Sequence, residues 1–201
     1  MTLVILLLLA AYLTGAIPTS YIVGRTRGID LRKEGSGNLG ATNAFRVLGW
    51  RAATPVFIVD IFKGFFPTFF FPLWDNADNP HLALAYGAAA IVGHVFSVYV
   101  RFKGGKGVAT SAGVLLALAP IAVLAALLIW GALVFTTGYV SLASIIAAAV
   151  LPFVILAVQG VSPVFYLSLA LAAFVIFAHR ANIKRLVRGE EHSFRKKKAA
   201  T

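Results

Sequence analysis

Val108 opens the run VATSAGVLLALAPIAVLAALLIWGALVFTTGYVSLASIIAAAVLPFVILAVQGVSPVFYLSLALAAFVIFA, which reaches Ala178 without a single Asp, Glu, Lys or Arg. About twenty apolar residues cross a bilayer, so a run this long must cross repeatedly. Basic blocks bound it: Arg101, Lys103 and Lys106 before, and Arg180, Lys184, Arg185 and Arg188 after. Loops rich in Lys and Arg stay in the cytoplasm, so an even number of crossings separates the two blocks. Two would be far longer than the usual ~17–25 residues, whereas four fit. Breakers stand where four need them: Ala119-Pro120, Thr136-Thr137-Gly138, and Gln159-Gly160 through Pro163. One long helix kinked at Pro120 is the alternative, and it would leave about five spans in the whole chain.

The same reading extends upstream. Met1 to Gly24 carries no charge and lacks the basic start of a secretory signal, so it reads as an uncleaved first span. Arg25, Arg27, Arg32 and Lys33 place the end of that span in the cytoplasm and the N-terminus outside. Gly35 to Thr54 reads as loop or shallow helix. A second span is expected from about Pro55 to Trp74, and an outer turn at Asp75 to Pro80, which has acids and no cation. A third span is expected from about His81 to Val100. The expectation is an all-α polytopic membrane protein of about seven transmembrane helices, N-terminus outside and C-terminus cytoplasmic. Residues 1–189 would form one transmembrane catalytic domain, and residues 190–201 a basic tail suited to anionic lipid.

Composition agrees. The chain is 60% hydrophobic and 12% charged, whereas soluble domains are about 25% charged. The sequence has no Cys, which excludes disulfides, thiolate nucleophiles and Cys-based metal sites. A net charge of +11 would suit nucleic acid if it were spread over a soluble face. Here the cations crowd the gaps between apolar runs. Anionic head groups and small anionic substrates are therefore the expected partners.

Three polar blocks could carry chemistry. The first is Gly35-Ser36-Gly37-Asn38-Leu39-Gly40-Ala41-Thr42-Asn43, followed by Arg46. Its glycines let backbone N–H groups converge, and Arg46 adds a planar fork suited to phosphate. The second is Lys103-Gly104-Gly105-Lys106-Gly107-Val108-Ala109-Thr110. It is not a P-loop, because Gly107 follows Lys106 and the flanks are membrane spans. Glycines running into a helix N-terminus beside a lysine still make a phosphate site. The third is His179-Arg180-Ala181-Asn182-Ile183-Lys184-Arg185-Leu186, with Gly189 and Glu190. If helical, it sets His179, Asn182 and Arg185 on broadly one face. Each block also has a plain reading: a flexible interfacial loop, a positive anchor, and a snorkelling helix end. Within the spans, Asp60 and Lys63 are either functional or a structural ion pair. His94, Ser141 and Ser144 could also face a site.

Together these blocks resemble the three cytoplasmic motifs of the bacterial membrane glycerol-3-phosphate acyltransferases that use acyl-phosphate as donor. Asp60-Ile61-Phe62-Lys63-Gly64 and Tyr139-Val140-Ser141-Leu142-Ala143-Ser144 are similar to that family as well. The resemblance implies transfer of a fatty acyl group from acyl-phosphate to the 1-hydroxyl of glycerol 3-phosphate, giving lysophosphatidate and inorganic phosphate. It implies no cofactor, a multi-pass protein of the bacterial inner membrane, and an active site open to the cytoplasm. It also implies functional coupling to the enzyme that makes acyl-phosphate.

Residue by residue, the resemblance assigns acyl-phosphate to Ser36, Gly37, Asn38, Gly40, Thr42, Gly104, Gly105, Lys106, Gly107 and Thr110. Glycerol 3-phosphate falls to Asn43, Arg46, Lys106, Ser144, His179, Asn182 and Arg185. Ser36, Lys106 and His94 are the candidates for a catalytic role, and Asp60, Lys63 and Glu190 for electrostatic support. No carboxylate cluster suits a metal ion. The His-x-x-x-x-Asp pattern of other acyltransferases is missing, since Tyr99 and Lys184 follow His94 and His179 at that spacing. The base is then the donor's own phosphate, His94 or His179. Ser36 as an acyl-enzyme nucleophile has no nearby His or Asp in sequence. A secondary transporter of a small organophosphate is the competing class, and a purely structural membrane scaffold a more distant one.

Overall fold

The structure is a computed structural model that describes residues 1–77 and 79–194. Asp78 of the outer turn and Arg195 to Lys198 of the basic tail lie outside the described residues. Among the described residues all regular structure is helical. In chain order the helices are α1 (Thr2–Ala16), α2 (Thr19–Arg25), α3 (Ala41–Leu48), α4 (Trp50–Phe70) and α5 (Leu82–Val95). They continue as α6 (Val108–Leu118), α7 (Pro120–Thr137), α8 (Val140–Gln159), α9 (Pro163–Ala178) and α10 (Arg180–Val187). Short 3₁₀ turns at Phe71–Leu73 and Val98–Val100 extend α4 and α5.

All three breakers in the uncharged run end helices. α6 stops where Ala119 leaves helical geometry at φ −149°. Pro120 then opens α7, at a position where a missing N–H leaves no hydrogen bond unmade. The region holds four helices, and the single kinked helix is excluded. Two expected boundaries move. The first span is broken at Ile17-Pro18, where α1 and α2 meet at a 42° bend, because proline disfavours helix in the residue before it. α4 begins at Trp50, ahead of Pro55, directly after Gly49 ends α3 with φ +80°.

Among the described residues, four helices, counting the 3₁₀ extensions of α4 and α5, are long and apolar enough to cross a membrane, or six if the bent pairs α1–α2 and α9–α10 each count as one span. α6, with 11 residues, covers only about 16 Å.

The chain divides into two compact units, residues 1–120 and the remainder. In the first, α1 packs on α5 and α4 on α6 through paired glycines. A β-carbon at Gly15 would collide with the backbone of Ala90, and one at Gly93 with that of Tyr12. Between α4 and α6 the same holds for Gly64 against Thr110 and Gly113 against Ile61. In lipid no hydrophobic force draws helices together, so such backbone-to-backbone approach supplies the packing. Leu31, Leu39, Ala44, Val56 and Val100 form a buried cluster beneath the first glycine-rich loop. In the second unit α8 packs on α9, and α10 contacts both. Trp130 of α7 donates to the Ser144 hydroxyl of α8 at 3.2 Å.

Candidate active site

In the first unit the loop before α3 is built around Asn43. Its side-chain oxygen accepts the Ser36 N–H at 2.8 Å, and its Nδ2 donates to the carbonyls of Leu31 (3.2 Å) and Glu34 (3.1 Å). Asn43 is 1% exposed. The sequence reading gave it to glycerol 3-phosphate; the structure instead commits its amide to shaping the loop. That leaves Ser36, Gly37 and Thr42 on the surface, Asn38 and Gly40 half-buried, and Arg46 half-buried one turn beyond Asn43. Arg32, by contrast, is taken up by Asp30. The side-chain hydrogen bonds from Arg32, helped by its backbone N–H and its charge, outweigh desolvation and hold the Asp30 carboxyl down at about 2.

The second glycine loop leaves α5 and folds back on its end. Gly104 N–H donates to Val95 O (3.0 Å) and Gly105 N–H to His94 O (3.2 Å). Gly105 lies so close to the His94 ring that a β-carbon would overlap Nε2, and the same β-carbon would sit 3.0 Å from the Leu39 carbonyl. The two glycine-rich loops therefore meet at Gly105, over His94. Lys106 follows, half-buried, and Gly107 turns the chain into α6 with φ +77°, a left-handed conformation that glycine adopts without strain. The first N–H groups of α6 have no helical acceptors and face this turn. Thr110 is fully buried where α6 meets Gly64, a packing position rather than a loop position.

His94 is buried, with Nδ1 lacking a hydrogen-bond partner among the described residues. Asp60 and Lys63 are buried too and form an ion pair at 2.8 Å, one turn apart on α4. Lys63 also donates to the Ile17 carbonyl at 2.9 Å, at the break between α1 and α2.

In the second unit the third block behaves as a face. His179 Nδ1 lies 2.8 Å from Val175 O; a carbonyl only accepts, so Nδ1 carries the hydrogen. Asn182 Nδ2 and Arg185 Nε donate to the two oxygens of one carboxylate, at 2.9 and 2.8 Å. That carboxylate belongs to Glu191. Glu190, the acid expected in this place, is exposed.

The register follows from the helix end. Gly189 adopts φ +70°, its N–H bonds Leu186 O and the Glu190 N–H bonds Arg185 O. This is a Schellman cap, and it turns the next side chain back onto α10. A glycine after a basic helix end is a readable signal for such a cap, and it points to residue 191. Burial pushes the Glu191 carboxyl up, but the bonds from Asn182 and Arg185, Arg185's charge and Ser141 outweigh it and hold it low.

Residues 5–189 match the glycerol-3-phosphate acyltransferase family. The chain is 43% identical over 197 residues to the glycerol-3-phosphate acyltransferase of Geotalea daltonii, covering 98% of this chain and 100% of that one. With the enzyme of the same name from Trichlorobacter lovleyi it shares 45% identity over 185 residues, 92% of this chain and 94% of the relative. Among solved structures it resembles PlsY (YgiH), an integral membrane glycerol 3-phosphate acyltransferase. The glycerol 3-phosphate form of PlsY aligns with a TM-score of 0.89 at 36% identity, over 96% of each chain. The lysophosphatidic acid form aligns at 0.86 and 35%, over 96% and 95%. Sequence and fold thus agree along nearly the whole length: this chain belongs to the glycerol-3-phosphate acyltransferase family.

Proposed function

We propose that the protein transfers a fatty acyl group from acyl-phosphate to the 1-hydroxyl of glycerol 3-phosphate, at the cytoplasmic face of the bacterial inner membrane. The oxygen of that hydroxyl attacks the acyl carbonyl carbon. A carbon–oxygen ester bond forms, the carbon–oxygen bond to phosphate breaks, and the hydroxyl proton leaves on the phosphate. The products are lysophosphatidate and inorganic phosphate.

One observation carries this reading: Gly105 joins both glycine-rich loops into one polar surface that runs into the start of α6. Charge develops on the carbonyl oxygen and on the departing phosphate, and preorganised N–H groups and cations stabilise both. Ser36, Gly37, Asn38, Gly40, Thr42 and the Gly104–Gly107 loop serve acyl-phosphate in this reading. Arg46, His179, Asn182, Arg185 and Ser144 serve glycerol 3-phosphate, and Lys106 serves both anions. Arg185 bonds Glu191 through Nε, and the planar fork of a guanidinium suits a phosphate through its terminal nitrogens. Asn43, Thr110 and His94 act by holding the loops and α6, and the donor's phosphate is the base.

The positive-inside pattern supports an N-terminus outside, a cytoplasmic C-terminus and seven crossings, with α6 the short one. Acyl-phosphate is a reactive mixed anhydride, which favours direct supply by the enzyme that makes it. The test is release of phosphate and formation of 1-acyl product by purified protein, with acyl-phosphate and acyl-CoA compared as donors. Turnover with acyl-phosphate alone is expected. Equal use of acyl-CoA, or solute uptake into vesicles without product, overturns the reading.

A further inference from the structure

The Asp60–Lys63 pair lies outside the three polar blocks, yet its bonds lead to one of them. α1 ends at the Ile17-Pro18 break, and carbonyls at a helix end lack their helical donors. Lys63 supplies one to Ile17, and the buried Ser97 hydroxyl supplies one to Ala16. Tyr12, one turn earlier on α1, donates its hydroxyl to Phe96 O at 2.8 Å. The Ser97 backbone carbonyl in turn accepts the Phe102 N–H at 2.8 Å, closing the hairpin that delivers Gly104 and Gly105 onto Val95 and His94. The hairpin is held against strain, since Arg101 and Phe102 both sit at left-handed φ, 58° and 59°. L residues visit that region only at an energetic cost, so the surrounding bonds must impose it. On the other side of Lys63, Gly64 seats the first turn of α6 through Thr110. The turn of α4 from Asp60 to Gly64 therefore touches both the start of α6 and the α1 end on which the glycine hairpin hangs.

We propose that Asp60 and Lys63 are positioning residues: by pinning the Ile17-Pro18 break they set, through Ala16 and Ser97, where the Gly104–Gly105 backbone lies. The proposal rests on the reading that this loop holds the donor phosphate. A buried charge left alone is strongly destabilising, whereas replacing both members of a pair with neutral groups is often tolerated. The useful variants are thus Lys63→Met, Ser97→Ala and the double variant Asp60→Asn with Lys63→Met, which also loses the bond to Ile17 but strands no charge.

The experiment measures the KM of both substrates, and inhibition by inorganic phosphate, on purified full-length variants with thermal unfolding alongside. Any folded variant lacking Lys63 is expected to raise the acyl-phosphate KM and the phosphate Ki together, about tenfold, with the glycerol 3-phosphate KM within about twofold. Ser97→Ala should do the same more weakly. Adding it to the Asp60→Asn, Lys63→Met background should change little, because both changes cut one chain of bonds. A folded double variant with unchanged acyl-phosphate KM overturns the proposal, as does an equal rise in both KM values. Lys106→Met in the same assay tests the underlying reading separately. If it retains turnover, the loop does not hold the donor, whatever Lys63 does.

Discussion

Gly105 rests against the imidazole of His94 with no room for a β-carbon between them. A buried histidine in the last turn of a membrane helix invites a catalytic reading. Its ring and its carbonyl together also support the backbone of a glycine loop.

Gly105→Ala should therefore cut kcat/KM by about a hundredfold, the loss typical of a displacement near 1 Å in a reacting site. The protein should still fold, since the added methyl meets a side chain and a loop carbonyl at the loop's edge. Gly131→Ala, where a β-carbon meets nothing within 4 Å, is the control. It should keep full activity and gain up to about 1 kcal/mol from helix propensity. Steady-state kinetics and thermal unfolding read both.

Helix packing in the first unit predicts a different loss. A β-carbon at Gly113 would collide with the Ile61 carbonyl, and backbone yields less than a side chain. Gly113→Ala should cost about 1–3 kcal/mol by overpacking. Activity should fall with it, because α6 carries the loop's helix terminus. An unchanged unfolding midpoint would contradict the packing described.

At the end of α10 the two adjacent acids separate cleanly. Glu191→Ala removes the acceptor of buried Asn182 and of Arg185, at a cost of about 2 kcal/mol. Glu190→Ala should change nothing measurable. Because the folded carboxyl is held low, the stability it adds is complete above the ordinary glutamate value of about 4.3. It disappears as pH falls through the lowered value. Wild type and Glu191→Gln should therefore converge in unfolding midpoint at acid pH and differ at neutral pH.

The helix breaks of the uncharged run were legible, because Pro120, Gly138 and Pro163 act locally on the backbone. The break at Pro18 escaped notice because no charge marks it: the stretch is apolar on both sides, and its loose carbonyls are met from α4 and Ser97. Residue types that could bind phosphate were legible too, but not which ones are engaged within the protein. Asn43 has the chemistry of a ligand, and only the fold reveals three bonds already made by its amide. Glu191 was missed by one position for want of reading Gly189 as a left-handed cap.

Lys106 offers the most direct measurement. Lys106→Met, purified and shown to unfold at the wild-type temperature, should lose acyl transfer from acyl-phosphate by at least about a hundredfold, as expected on removing a group that stabilises transition-state charge. Near-normal turnover by that folded variant would contradict the account, because the glycine loop would then not be where the phosphate departs.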